Sequence, residues 1–101
     1  MDHNTEGVVK QKQKYQVKKP DMYKVVLHND DYTTMEFVVR ALQVVFHKPA
    51  AEATKIMLDV HKKGRGIVGV YTYDIALTKI VEVRKMAEKE EFPLRCTMEK
   101  A

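Results

Sequence analysis

The sequence has one cysteine and no long apolar run. Because Cys96 stands alone, an internal disulfide framework and a multi-cysteine metal site are excluded. No apolar stretch approaches the roughly 20 residues that a membrane-spanning helix needs. Residues 1–20 also lack the apolar core and the small-residue cleavage site of a signal peptide. We therefore expect the 101 residues to form one domain in the reducing cytoplasm, with no membrane partner.

The common catalytic signatures are also missing. The sequence contains no nucleophile elbow, no glycine-rich phosphate loop and no dinucleotide fingerprint. Its four histidines form neither an HExxH nor an HxxxH pattern, so the sequence gives little support to a zinc site. We predict a protein that is not an enzyme and that uses no cofactor or metal. One alternative stays open, a metal-dependent hydrolase built on His61 with Asp30 and Asp31.

Positive charge is concentrated at the start of the chain. Five lysines accompany two acidic residues within 1–20, whereas residues 21–101 contain thirteen basic and twelve acidic side chains. The first segment has too few apolar residues to offset the entropy lost on ordering. We therefore predict a flexible basic extension over 1–20 and a folded domain over 21–101. The nearly neutral domain argues against a phosphate-binding face, although a nucleic-acid- or ribosome-associated module that uses the extension remains an alternative.

Hydrophobic periodicity predicts three strands and three helices. Thr33-Thr34-Met35-Glu36 fits a capping box, in which a threonine hydroxyl caps the first helix and Glu36 reaches back. The predicted order is strand 22–28, helix 35–46, helix 49–63, strand 66–72, helix 73–89 and strand 94–99. Such a chain forms an α+β domain in which three helices pack against a small, mainly antiparallel, three-stranded sheet.

Polar side chains cluster where the first strand ends. Asn29-Asp30-Asp31 fits an ordinary turn, because Asn and Asp side chains bond to nearby backbone groups. The same oxygens are also acceptors for a metal or an ammonium group. His61, in the last turn of the second helix, is typical of a side chain that interacts with the helix dipole. Methionines on the predicted core faces suit a core, and they also suit a cavity that accepts side chains of different shapes.

Four segments together resemble one known family. They are MYKVVLHNDDYTTMEFV, IMLDVHKKG, GVYTYDIALTK and FPLRCTMEKA, spanning Met22 to Ala101, and they resemble ClpS, the adaptor of the bacterial ClpAP protease. The resemblance implies a fold like the C-terminal domain of the ribosomal stalk protein, preceded by a flexible extension that the unfoldase engages. It also implies that the protein holds proteins beginning with Leu, Phe, Tyr or Trp and passes them to the ClpA unfoldase. A monomer is the default expectation.

The resemblance also implies roles for individual residues. The α-amino group of the substrate would be surrounded by Asn29, Asp30, Asp31 and His61. The pocket for the first side chain would be lined by Thr33, Met35, Val38, Met57, Val60 and Leu94. Met35 would exclude β-branched first residues, and Asp74 and Lys79 would dock on the N-terminal domain of ClpA. His28, just before the polar turn, would face either solvent or the substrate's second residue, and the sequence leaves both open.

Overall fold

Six regular elements make up the computed structural model, which describes residues 18–101. They are β1 (Met22–His28), α1 (Met35–Val44), α2 (Ala50–Lys63), β2 (Arg65–Thr72), α3 (Tyr73–Lys89) and β3 (Arg95–Lys100). The order confirms the prediction, and β1 and α3 have their predicted bounds. The predicted extension over 1–20 lies outside the described residues except for 18–20, which are exposed.

The three strands form one antiparallel sheet with β1 at its centre. The strand order is β2-β1-β3, and β1 pairs antiparallel with both neighbours. Side chains from one face of the sheet enter the hydrophobic core, among them Val25 and Leu27 of β1, Val68 of β2 and Cys96 of β3. The end of β1 therefore lies between β2 and β3, and the loop that follows β1 begins there.

Each helix turns one apolar face into the core: α1 packs mainly on α2, α2 packs on α1 and β2, and α3 packs on all three strands. The buried positions recur at helical spacing, as the periodicity predicts. They are Phe37, Val38, Ala41 and Leu42 in α1, Ala53, Ile56 and Val60 in α2, and Ala76, Ile80, Val83 and Ala87 in α3. Met35, predicted on the core face of α1, is 42% exposed because it stands at the first helical position beside an open cavity.

Local hydrogen bonds fix the start of α1 and the end of α2. Thr34 caps α1, and its hydroxyl accepts a hydrogen bond from the Phe37 amide at 3.1 Å. Glu36 is therefore the second helical residue and not the third, so the predicted contact back to the cap was wrong. At the end of α2, Gly64 adopts a left-handed φ of 87° and donates its amide to the Val60 carbonyl at 3.0 Å.

Candidate functional site

A cavity of about 510 Å³ lies between the β1–α1 loop, the start of α1 and the end of α2. We call it the loop cavity. Ten residues were assigned by resemblance to an α-amino site and a side-chain pocket, and nine of them line this cavity. The exception is Leu94, which is 7% exposed and packs in the hydrophobic core. Tyr32, Thr34 and Glu36 line the cavity in addition, and only their position beside the polar turn could have suggested them.

Asp30 organises the loop that forms one wall of the cavity. Its carboxylate accepts hydrogen bonds from the Tyr32 amide at 2.8 Å, the Thr33 amide at 2.7 Å and the Thr33 hydroxyl at 2.7 Å. Burial raises the pKa of this carboxyl, but the hydrogen bonds from Thr33 and Tyr32 outweigh that effect and lower the pKa below 3.8. Asp30 is therefore a carboxylate at neutral pH; its Oδ1 accepts from two backbone amides of the loop and its Oδ2 from the Thr33 hydroxyl.

A second hydrogen bond connects the loop to the end of α2. The Asn29 amide donates to the Gly64 carbonyl at 2.9 Å, where the left-handed turn of Gly64 ends the helix. His61 stands one turn earlier on the same helix and is exposed. The bond therefore holds Asn29 and His61 at the same rim of the cavity, although the two residues are more than thirty positions apart in sequence.

Three polar side chains at this rim are open to a ligand. Within residues 18–101, the side chains of Asn29, Asp31 and His61 make no hydrogen bond or ion pair with the protein, and the three residues are exposed. They offer an amide oxygen, a carboxylate and an imidazole nitrogen. This set can accept several hydrogen bonds from one cationic donor, and Asp31 adds negative charge beside it.

The inner surface of the cavity is apolar. Val38 of α1 is 5% exposed and Val60 of α2 is 3% exposed, so both belong to the core and reach the cavity from beneath. Met35 and the half-buried Met57 stand on opposite helices at the cavity wall. An apolar side chain that entered here would leave water for a surface that the fold already holds in place.

The other predicted residues lie outside the loop cavity. Asp74 is exposed in the first turn of α3, and the Lys79 ammonium donates to the Val45 carbonyl at 2.7 Å, just past the end of α1. His28 contacts the Thr97 hydroxyl on β3 at 2.7 Å through Nε2. Its side chain therefore pairs across the sheet and does not line the cavity. Burial and the nearby positive charges of β2 and β3 lower the pKa of His28 below 6.5.

Among residues 18–101, no group of three or more His, Cys, Asp or Glu side chains is placed to hold a metal ion. In the same residues, no helix is both long and apolar enough to cross a membrane.

Fold and cavity together define a small α+β binding domain, in which a polar rim adjoins an apolar pocket. Comparison with known proteins assigns this domain to a family. The family model of the ATP-dependent Clp protease adaptor protein ClpS matches residues 18–97. A Syntrophus aciditrophicus adapter protein ClpS is 65% identical over 83 residues, covering 82% of this chain and 78% of the relative. An Acetivibrio thermocellus ClpS is 64% identical over 92 residues, covering 91% of this chain and 93% of the relative.

A solved structure gives the same result. The structure of Agrobacterium tumefaciens ClpS2 bound to L-phenylalaninamide superimposes with a TM-score of 0.80 at 38% sequence identity, covering 82% of this chain and all of that protein. The chain belongs to the ClpS family, whose members are non-catalytic adaptors of the ATP-dependent Clp protease.

Proposed function

We propose that this protein binds the free α-amino group and the first side chain of proteins that begin with Leu, Phe, Tyr or Trp, and delivers them to the ClpA unfoldase of the ClpAP protease. One observation carries the proposal. The loop cavity places three polar side chains, with no partner among residues 18–101, at the rim of an apolar pocket. The first residue of a chain has this same combination, a cationic amine next to a side chain.

The polar rim suits a free amine better than an internal peptide bond. An α-amino group has a pKa of about 8, so at neutral pH it is mostly an ammonium with three N–H donors. Asn29, Asp31 and His61 supply an amide oxygen, a carboxylate and an imidazole nitrogen as three acceptors. An internal peptide bond has one N–H, so it would leave two of these acceptors unpaired and would have to fit a second chain segment. We assign Asp30 the indirect role of holding the loop that presents the other acceptors.

The apolar pocket supplies the rest of the affinity. Burial of a Leu or Phe side chain is worth about 1.5–3 kcal/mol, and each hydrogen bond to a charged group about 1.5–3 kcal/mol. Two or three such bonds with one side chain give about 5–12 kcal/mol before the cost of association. Micromolar binding corresponds to about 8 kcal/mol after that cost, so neither the rim nor the pocket is enough alone and both must contribute. Met35 and Met57 would shape the entrance, with Met35 excluding β-branched first residues.

A relative supports this ligand chemistry. The A. tumefaciens ClpS2 protein binds L-phenylalaninamide, a molecule with a free α-amino group, an aromatic side chain and an amide where the next peptide bond would begin. This chain has the same fold, and its loop cavity carries acceptors for the amine and an apolar pocket for the ring. We propose that it binds substrates in the same way.

Delivery requires a second surface, which we place on α3. Asp74 is exposed near the start of this helix, beside the exposed apolar side chains of Tyr73 and Ile75. Lys79 uses one N–H on the Val45 carbonyl, which leaves two donors for a partner. We propose that this surface docks on the N-terminal domain of ClpA while the unfoldase engages the extension over 1–20. Because the relatives are bacterial Clp adaptors, we propose that the protein acts in the bacterial cytoplasm. We also propose that it is a monomer.

Fluorescence anisotropy with labelled peptides tests the proposal. Four peptides begin with Leu, Phe, Tyr or Trp, and two controls begin with Ile or with acetylated Phe. We expect micromolar or tighter binding to some or all of the four, at least tenfold weaker binding to both controls, and loss of binding in His61→Ala. Lys62→Ala, one residue further along the same exposed helix end, is the matched control and should bind normally. Equal weak binding of all six peptides would refute the proposal and direct attention to nucleic-acid binding by the basic extension.

A further inference from the structure

A second groove runs beside the loop cavity along the outer surface of α1. It also has a volume of about 510 Å³, and its surface is predominantly apolar. Its lining residues are Met35, Glu36, Val39, Arg40 and Gln43 of α1, and Met57 of α2. We call it the helix groove. A groove of this size falls within the range of about 300–1,000 Å³ that is typical of ligand sites in proteins.

The helix groove is continuous with the loop cavity. Met35, Glu36 and Met57 line both, whereas Val39 and Gln43 belong to the helix groove alone. The two methionines therefore form the boundary between the two spaces. They are flexible, unbranched side chains that adapt to a ligand on either side. A chain that is bound in the loop cavity and continues over Met35 and Met57 enters the helix groove.

Two charged side chains, Arg40 and Glu36, line the helix groove. Arg40 contacts both carboxylate oxygens of Glu90 at 2.6 Å and lies over the Phe37 ring, with its guanidinium carbon 5.3 Å from the ring centroid. It is thus a fixed wall of the groove. Glu36 makes no ion pair within residues 18–101, so it gives the entrance of the groove a negative charge. The occupant that suits this surface is apolar and not acidic.

We propose that the helix groove receives the side chain of the third residue of the bound substrate. This inference rests on the proposed function, because it takes the first residue to lie in the loop cavity. In an extended chain, side chains two positions apart point to the same side, about 7 Å from each other. When the first side chain points into the protein, the third does so as well, whereas the second points away. The helix groove is the apolar space that adjoins the loop cavity, at Met35 and Met57.

The proposal makes the third residue a determinant of affinity. A substrate with Leu, Met or Phe at the third position should bind about fivefold more tightly than one with Ser, since the groove is open and buries only part of the side chain. Asp at that position should bind more weakly than Ser because of Glu36 and the nearby Asp31.

The test combines peptides that differ only at position three with variants that differ only in the groove. The peptides are Leu-Gly-Leu, Leu-Gly-Ser and Leu-Gly-Asp, each followed by the same labelled tail, with acetylated Leu-Gly-Leu and Ser-Gly-Leu as controls. Gln43→Glu places a second negative charge in the groove at an exposed position. Thr78→Glu adds the same charge on exposed α3 and is the matched control. Dissociation constants come from fluorescence anisotropy, and thermal unfolding verifies that each variant is folded.

The outcomes separate this inference from the proposed function. Support consists of a roughly fivefold preference for Leu over Ser at position three, reduced at least twofold by Gln43→Glu and unchanged by Thr78→Glu. If Leu-first peptides bind and the acetylated control does not, but position three has no effect, only the present inference is overturned. The same holds if the preference survives in Gln43→Glu. Failure of every peptide to bind overturns both.

Discussion

Asp30 and Asp31 are adjacent carboxylates that differ in their hydrogen bonds within residues 18–101, and replacing each with alanine tests whether they have different tasks. Asp30 accepts three hydrogen bonds from Tyr32 and Thr33, whereas the Asp31 side chain bonds to nothing within residues 18–101. We therefore expect Asp30→Ala to destabilise the fold. It should also weaken substrate binding, because the loop would lose the hydrogen bonds that order it. Asp31→Ala should leave the fold unchanged and weaken binding alone.

The size of both effects follows from the contacts. Hydrogen bonds to a charged group contribute about 1.5–3 kcal/mol each when buried, and partial exposure reduces the total for Asp30 to about 1–2 kcal/mol. In a domain of this size, that corresponds to a melting temperature lower by about 4–16 °C. For Asp31→Ala we expect a change in stability of at most about 0.5 kcal/mol. Loss of one charged hydrogen bond to the substrate ammonium should weaken binding about tenfold or more.

The pH dependence provides an independent measure of the same contacts. Because the pKa of Asp30 is lower in the folded state than its ordinary value of 3.8, its contribution to stability is fully present above that value. The contribution disappears as the pH falls through the lowered, folded-state pKa. The difference in melting temperature between the unmodified protein and Asp30→Ala should therefore be constant from about pH 5 to 8 and should shrink below about pH 3.

Circular dichroism melts at several pH values, with peptide binding by anisotropy at 20 °C, test the whole contrast. The reasoning is refuted if Asp30→Ala melts at the same temperature as the unmodified protein, because its three hydrogen bonds would then contribute nothing. It is also refuted if Asp31→Ala lowers the melting temperature as far as Asp30→Ala does. An Asp31→Ala protein that keeps full affinity would leave the fold argument intact and would remove Asp31 from the binding site.

Three further predictions concern residues outside the β1–α1 loop. Burial raises the pKa of the Cys96 thiol to about 12, so a thiol reagent at pH 8 should react at least tenfold more slowly with the folded protein than with the protein in denaturant. Gly64→Ala forces a side chain into a φ of 87° and should destabilise the protein by about 1 kcal/mol, measured by urea unfolding. Lys79→Met removes the hydrogen bond to the Val45 carbonyl and should lower the stability by about 1 kcal/mol. It should also weaken association with the ClpA N-terminal domain in a pull-down, whereas peptide affinity should not change.

The fold was predictable because its signals are local and repeated. Apolar residues recur every three or four positions in α3, and the four predicted to face the core are all buried. The start of α1 shows where this reasoning fails. Thr33 and Thr34 have the same chemistry. The Thr33 hydroxyl donates a hydrogen bond to the Asp30 carboxylate, and the Thr34 hydroxyl caps α1. The sequence contains both threonines and the carboxylate, but it does not reveal which hydroxyl the carboxylate engages.

Nine of the ten residues assigned by resemblance line one cavity, but their individual roles stay predictions. The resemblance assigned Asn29, Asp30, Asp31 and His61 to one amine, since it transfers residues by position. Whether a carboxylate points at the ligand or at its own loop depends on side-chain direction, which the three hydrogen bonds to Asp30 reveal. Leu94 illustrates the same limit, because an apolar residue near a pocket and one packed in the core look alike in sequence.

The polar turn fits both an ordinary turn and a cluster of acceptors, and under the proposed function the turn would prepare the acceptors. A flexible loop would lose conformational entropy on ordering around a ligand, and that loss would weaken binding. Asp30 orders the loop in the free protein, and the bond from Asn29 to Gly64 fixes it against α2. Asn29 and Asp31 are thus presented in one geometry before any substrate arrives. If the proposed function holds, this short loop can present acceptors to a substrate because one of its own carboxylates, Asp30, is used to build the turn.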